Sequence, residues 1–249
     1  MISKRLITVL TFNNGVLFRT KLFTPDYRYT ANFVDSWSVD EIIILDITRK
    51  HNNNTRNNFY KVIDSFSKNC FVPLTVGGWI RNIREVSKLF KLGADKVSIN
   101  SSAIRNPRFI TKISGTFGTQ SVVVSIDAKK KDDGNYEVYS NQGKKPISIC
   151  PTVWAKKVED CGAGEILITS INNDGWLRGY DIDLCKKIKS TVKIPVLALG
   201  GCGNWDHMYQ AFTTAKVDAA CTQNIYHYTE QSIKSAKKYL KSKGIKVRI

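Results

Sequence analysis

The sequence repeats one unit: a short run of apolar, often β-branched residues, then a polar turn, then a segment with apolar residues at helical spacing. The apolar runs are continuous rather than alternating, which is typical of parallel strands covered on both faces. We predict eight strands: Arg5–Thr11, Glu41–Thr48, Pro73–Gly77, Lys96–Asn100, Ser121–Asp127, Glu165–Ser170, Pro195–Gly200 and Asp218–Thr222.

Five of the intervening segments carry apolar residues three and four positions apart, which predicts amphipathic helices. Eight strands alternating with helices in 249 residues favour an α/β fold of the (β/α)8 (TIM) barrel type. A doubly wound open sheet is the alternative, but no GxGxxG motif follows the first strand. The predicted helices are Ile83–Leu92, Asn106–Ser114, Pro151–Cys161, Ile182–Thr191 and Glu230–Lys241.

An internal repeat supports the barrel. The segment beginning at Val72 (VPLTVGG) is similar to the segment beginning at Ile194 (IPVLALG), so the two halves of the chain resemble copies of one half-barrel. We predict a single domain over residues 1–249. A hairpin insertion is expected at about Asp132–Lys144, and Asn52–Asn54 is interpreted as a polar loop.

Composition excludes several classes of protein. Hydrophobic residues make up 42% of the chain, which argues against disorder, and no apolar run is long enough for a membrane helix. The first residues lack a signal-peptide pattern, so we expect a cytoplasmic protein. Six cysteines without a CxxC pair, and three histidines without ligand spacing, predict no metal and no other cofactor.

The net charge of +17 makes nucleic acid the first partner to consider. The basic residues are spread over several segments, and no nucleic-acid-binding motif accompanies them. Nucleic acid is therefore disfavoured. A phosphorylated or acidic ligand, an acidic protein partner and simple solubility all stay open.

In a barrel of this type, the active site lies at the carboxyl ends of the strands. Asp127 ends the fifth predicted strand, and Asp174 follows the sixth. Two carboxylates at one mouth suit acid–base chemistry, although either could instead cap a turn or a helix. The glycine pairs after strands three and seven could expose backbone N–H groups to a phosphate.

The stretches PLTVGGWIRNIREVSKLFKLGADKVSIN, SIDAKK, WAKKVEDCGAGEILITSINNDG and GGCGN resemble the cyclase subunit of imidazole glycerol phosphate synthase, the HisF family. The resemblance covers residues 4–247. It implies a barrel that docks on a glutaminase subunit (HisH-like). It also implies that ammonia passes through the barrel to a bis-phosphorylated ribulosyl intermediate of histidine biosynthesis.

Of the two catalytic aspartates that the resemblance implies, only one is present in this chain. The family's second catalytic aspartate matches Asp127, but its first falls on Thr11. A hydroxyl cannot replace a carboxylate as general base near neutral pH. The family's loop-one lysine falls on Arg19, in a loop that is shorter here.

The implied phosphate sites are altered as well. Trp79 stands where the family has a third glycine, and we expect its indole to project toward the mouth and fill space that a phosphate needs. Gln223 and Asn224 replace a small Ala-Ser pair. The implied substrate-binding residues that match the family are Asn100, Ser101, Asp174, Gly175 and Gly201.

At the opposite end of the barrel, the family's ammonia gate is a ring of two cations and two carboxylates. All four positions match, and the glutaminase-interface aspartate matches Asp95. We expect the four side chains to converge below an apolar lumen; a purely structural salt-bridge cluster is the alternative. The implied gate residues are Arg5, Glu41, Lys96 and Glu165.

Two functions follow. Thr11 and Trp79 favour a HisF-like subunit that docks a glutaminase and channels ammonia to a different acceptor. The resemblance suggests a cell-surface sugar, as in lipopolysaccharide biosynthesis, that is amidated by a separate sugar amidotransferase. The alternative is a genuine cyclase subunit of the synthase, supported by the extent of the match and by Asp127. Whether the chain itself is an enzyme is left open at this point.

Overall fold

The structure, a computed structural model, describes residues 3–21, 24–28, 39–223 and 233–248, without the side chains of residues 18–28. Twelve strands lie in these residues. They are β1 (Arg5–Asn13), β2 (Val16–Lys21), β3 (Thr24–Arg28), β4 (Glu41–Asp46), β5 (Leu74–Gly77), β6 (Lys96–Ile99), β7 (Val122–Lys130), β8 (Tyr136–Ser140), β9 (Lys145–Pro146), β10 (Glu165–Ser170), β11 (Val196–Leu199) and β12 (Ala219–Thr222).

Eight of the strands close into a parallel barrel. Their order is β1-β4-β5-β6-β7-β10-β11-β12, and β12 pairs with β1 in parallel, with Arg5 opposite Ala219. The predicted (β/α)8 barrel is thereby confirmed, and the open-sheet alternative is wrong. The repeated segments form β5 and β11, which lie four strands apart as a half-barrel repeat requires.

The remaining four strands form antiparallel extensions at the carboxyl ends of two barrel strands. β8 pairs with β7 and β9 pairs with β8, within and beside the segment predicted as a hairpin. β2 and β3 extend β1 in the same way and were not predicted. Both extensions continue a barrel strand past its last parallel neighbour, so both begin at the carboxyl-terminal end of the barrel.

Eight α-helices lie in the described residues, and all five predicted helices are present. The prediction that Asn52–Asn54 is only a loop is wrong, because Asn52 caps a 17-residue helix in a capping box with Thr55. Residues 230–232 of the last predicted helix lie outside the described residues. The helices are α1 (Asn53–Asn69), α2 (Ile83–Lys91), α3 (Ser101–Arg105), α4 (Arg108–Phe117), α5 (Pro151–Asp160), α6 (Ile182–Thr191), α7 (Trp205–Thr213) and α8 (Ile233–Ser242).

Two buried layers hold the barrel together. The larger layer lies between the strands and the helices, and the smaller one fills the lumen. Successive strand residues point to opposite faces, so one continuous apolar run supplies both layers. The lumen layer comprises Ile7, Val9, Ile43, Val123, Leu167, Leu197, Leu199, Ala219 and Cys221, with Leu45 packed against it.

No helix in the described part of the chain is long and apolar enough to cross a membrane. Within the same residues, no group of three or more His, Cys, Asp or Glu side chains could hold a metal ion. A single domain, a cytoplasmic location and the absence of a cofactor stay predictions.

Candidate functional site

Four charged side chains begin four barrel strands and meet at the amino-terminal face. Arg5 Nη1 lies 3.0 Å from Glu41 Oε2 and 2.8 Å from Glu165 Oε1. Lys96 Nζ lies 3.0 Å from Glu41 Oε2 and 3.0 Å from Glu165 Oε2. Each cation therefore touches both carboxylates. We call these four residues the charged ring.

Burial makes the pairing within the ring necessary. Glu41 is 1% exposed, and its Oε1 also accepts a hydrogen bond of 2.7 Å from Thr75 Oγ1. Burial works against the charged guanidinium of Arg5, but the carboxylates of Glu165 and Glu41 raise its pKa. A buried charge without its partner is strongly unfavourable, so each member holds the others in place.

The lumen layer continues from the charged ring toward the mouth. Arg5, Ile7, Val9 and Thr11 occupy alternate positions of β1, and a strand's alternate side chains share one face. The apolar members give way to hydroxyl groups near the mouth, where Ser98, Ser125 and Thr169 line the cavity.

Asp95 lies beside the charged ring, immediately before Lys96 at the start of β6. Its Oδ2 accepts a hydrogen bond of 2.7 Å from the backbone N–H of Leu74, and the residue is exposed. The carboxylate thus braces the start of β5 while remaining open to solvent. Its role in contacting a partner stays a prediction.

The mouth of the barrel holds a cavity of about 320 Å³ at the opposite end. It brings together six of the predicted site residues from both halves of the chain. Gly175 and Gly201 belong to loops beside the cavity but are not among its lining residues, and the side chain of Arg19 lies outside the described part. The six lining residues are Thr11, Trp79, Asn100, Ser101, Asp127 and Asp174.

Asp127 lies on β7 inside the cavity and is the side chain best suited to proton transfer. Burial, the largest effect, raises its pKa to about 7, and the nearby Asp174 carboxylate adds to the rise. Hydrogen bonds from Asn100 Nδ2 (2.7 Å) and Ser125 Oγ (3.4 Å) act in the opposite direction. A carboxyl group with this pKa can both accept and donate a proton near neutral pH.

Hydrogen bonds join the loop after β10 to the turn after β11. Gly179 donates its backbone N–H to the Gly201 carbonyl at 2.7 Å, and Asn173 Nδ2 donates to the Gly179 carbonyl at 2.8 Å. Gly201 has a φ of +96°, and a Cβ there would lie 2.1 Å from the Gly179 oxygen. A side chain at this position is therefore excluded. The loop also contains Asp174, which is buried.

In the internal repeat, Trp79 occupies the position after β5 that Gly201 occupies after β11. It has a φ of +58°, which is rare for a bulky residue. Its Nε1 donates to the Thr48 carbonyl at 2.7 Å, its ring meets His51 edge-on at 4.6 Å, and the Arg81 guanidinium lies 4.7 Å from the ring centre. The indole thus forms a fixed wall of the cavity.

Several cavity residues were not singled out from the sequence. Arg81 and Arg105 line the cavity, and so do Asn141 and Gln142 from the turn after β8. Gln142 Nε2 donates to the Ile47 carbonyl at 3.2 Å, across the mouth. The Asn-Gln-Gly turn was visible in the sequence, but its reach across the barrel depends on tertiary structure.

Asp46 at the end of β4 has its own partners beside this wall. Arg56 Nη1 lies 3.2 Å and His51 Nε2 lies 3.0 Å from Asp46 Oδ2. Burial lowers the pKa of His51 even though Asp46 opposes the shift. The α1 helix, which was not predicted, supplies Arg56.

Comparison with known proteins fits this geometry. The profile of the histidine biosynthesis protein family matches residues 8–232. The chain is 42% identical over 255 residues to imidazole glycerol phosphate synthase subunit HisF of Clostridium botulinum (strain Okra / Type B1), covering all of both chains. The chain belongs to the HisF family. A relative from Methanocaldococcus jannaschii with the same name is 40% identical over 273 residues, again over all of both chains.

Within the HisF family, this chain combines an assembled charged ring with a mouth that differs from the pattern implied by the resemblance. Asp127 occupies the expected second catalytic position. Thr11 occupies the first, buried on β1 and lining the same cavity. Sugar amidation is not shown by these comparisons, and the relatives' names agree with the alternative, the synthase subunit.

Proposed function

We propose that this HisF-family chain receives ammonia from a glutaminase at the charged ring and delivers it through the lumen to the cavity around Asp127. The observation that carries the proposal is the arrangement along one axis. A closed ring of four paired charges is followed by an apolar lumen and then by a buried carboxyl group whose pKa is about 7.

The charged ring suits control of entry. Its four groups pair with one another at 2.8 to 3.0 Å, so an ion that enters the lumen must displace these pairs and lose its own hydration. Ammonia is neutral and small, so the apolar lumen costs it less desolvation than it costs ammonium. The exposed Asp95 on this face supplies a contact for a basic group of the glutaminase.

The relatives' name makes the imidazole glycerol phosphate synthase reaction the first candidate for the acceptor chemistry. Asp127 would then serve as general acid and base for ring closure. Its Oδ2 is held by Asn100, and its pKa allows both protonation states at neutral pH.

One observation favours a second candidate. Thr11 lines the cavity where the resemblance places the other catalytic aspartate, and its hydroxyl cannot act as a base near pH 7. Trp79 narrows the same cavity. In this candidate the chain passes ammonia to another acceptor, such as a cell-surface sugar handled by a separate sugar amidotransferase.

An ammonia-driven cyclisation assay with the ribulosyl intermediate separates the two candidates. Turnover by the purified chain that is abolished in Asp127→Asn supports the synthase reaction. An inactive unmodified chain contradicts the synthase candidate. The double variant Thr11→Asp with Trp79→Gly should then gain measurable cyclisation, which would show that these two residues account for the loss.

A further inference from the structure

Two of the cations that line the mouth cavity are not used by the chemistry at Asp127. Arg81 follows β5 and Arg105 ends α3, and both line the cavity. Both residues are exposed. Within the described part of the chain, Arg105 has neither an ion pair nor a side-chain hydrogen bond.

Trp79 fixes the orientation of Arg81. The guanidinium carbon lies 4.7 Å from the centre of an indole ring that is itself held by the Thr48 carbonyl and by His51. A guanidinium over an aromatic ring keeps N–H groups available for a planar or tetrahedral anion. The nearby Glu85 carboxylate accepts the backbone N–H of Arg81 at 2.6 Å.

Trp79 also adopts a left-handed backbone conformation that is unfavourable for a bulky residue. The contacts of the indole hold the backbone in this conformation. Backbone strain of this kind is concentrated at functional sites in proteins.

The negative charges in the cavity have neighbours other than these arginines. Asp174 is close enough to Asp127 to raise its pKa, and Asn100 and Ser125 donate hydrogen bonds to Asp127. Arg56 and His51 contact the carboxylate of Asp46. Among the described residues, neither Arg81 nor Arg105 forms an ion pair with a carboxylate of the cavity, so both cations are available to a ligand.

We propose that Arg81 and Arg105 bind a phosphate group of the ligand at the rim, with Trp79 as the wall that sets its position. The phosphate is held by guanidinium N–H groups, outside the space that the indole fills. The reacting end of the ligand then points toward Asp127. This proposal rests on the proposed function for the identity of the cavity as the acceptor site.

The test measures anion binding directly on the full chain. Protein labelled with ¹⁵N-arginine is titrated with inorganic phosphate, and the Nε–Hε signals of Arg81 and Arg105 are assigned from Arg81→Gln and Arg105→Gln. Both signals should shift saturably. Each substitution should weaken phosphate binding about tenfold, as expected for loss of a charge-assisted hydrogen bond. Arg84→Gln and Arg108→Gln, at exposed positions outside the cavity lining, should bind phosphate like the unmodified chain.

Phosphate binding that is unchanged in either variant overturns the proposed two-arginine site, as does the absence of a saturable shift. A parallel titration with acetate tests the ligand class: acetate should bind more weakly, and equal affinity overturns the assignment to phosphate. The readout needs no glutaminase, ammonia or turnover. Failure of ammonia transfer therefore contradicts the proposed function without affecting the phosphate-binding result. Failure of phosphate binding contradicts the two-arginine site without affecting the test of ammonia transfer.

Discussion

Buried ionisable side chains have different partners at the two ends of the barrel. At the charged ring, every cation contacts two carboxylates within 3.0 Å, so the four residues form a closed set. At the mouth, Asp127 is held by an amide and a hydroxyl rather than by a cation, and its pKa rises to about 7. The first arrangement favours one fixed geometry, whereas the second leaves a carboxyl group ready to exchange a proton.

The largest expected effect comes from opening the ring. Lys96→Met removes a cation that is bonded to Glu41 and Glu165, and leaves two buried carboxylates sharing Arg5. We expect the free energy of unfolding to fall by about 3 kcal/mol or more. Urea denaturation measures this loss. The matched variant Lys91→Met, at an exposed position of α2, should change stability by less than about 0.5 kcal/mol. A ring variant as stable as the unmodified chain would show that the pairing is dispensable.

At the mouth, the pKa of Asp127 sets a pH dependence of stability. Its folded value of about 7 lies above the ordinary 3.8, so the folded state binds the proton more tightly than the unfolded state. The raised pKa of Asp127 therefore stabilises the folded state at low pH, and this stabilisation is lost as the pH rises toward and through 7. Between pH 5 and 8 the loss should be about 2 to 3 kcal/mol. Asp127→Asn should abolish that component in denaturant titrations. An equal slope in both proteins would contradict the raised pKa.

The smallest effect concerns the helix that supports the Trp79 side of the mouth. Asn52→Ala removes the cap of α1, whose Arg56 contacts Asp46. We expect a loss of about 1 kcal/mol, measured by thermal unfolding. Asn57→Ala, at an exposed position inside the same helix, should be neutral or slightly stabilising. If both variants behave alike, the capping box does not stabilise the helix.

The barrel could be predicted because its pattern is local. Each parallel strand is a continuous apolar run, and the half-barrel repeat places β5 and β11 at equivalent positions. Helix α1 was missed because its start is rich in asparagine and only Phe59 and Ile63 are buried along it. Its stability depends on the cap and on packing, which propensity alone does not reveal.

The site could be predicted in part. Residues at strand ends, such as Asp127 and Asn100, meet because the fold gathers the carboxyl ends of its strands. The partners of Trp79 could not be derived in this way. Thr48 and His51 follow a different strand, and Gln142 reaches Ile47 from 95 residues away. These contacts depend on loop geometry that periodicity does not specify.

The most direct test of ammonia passage through the ring uses the complex of this chain with a HisH-type glutaminase. With the ribulosyl intermediate as acceptor and glutamine labelled with ¹⁵N in its amide group, the measurement is the fraction of label released to solvent as ammonium, rather than incorporated into product, per glutamine hydrolysed. We predict that Arg5→Ala releases most of the label, whereas the unmodified chain and the exposed-site variant Arg84→Ala incorporate it into product. Added ammonium should support product formation equally in all three. Equal retention of label in Arg5→Ala would contradict passage controlled by the ring.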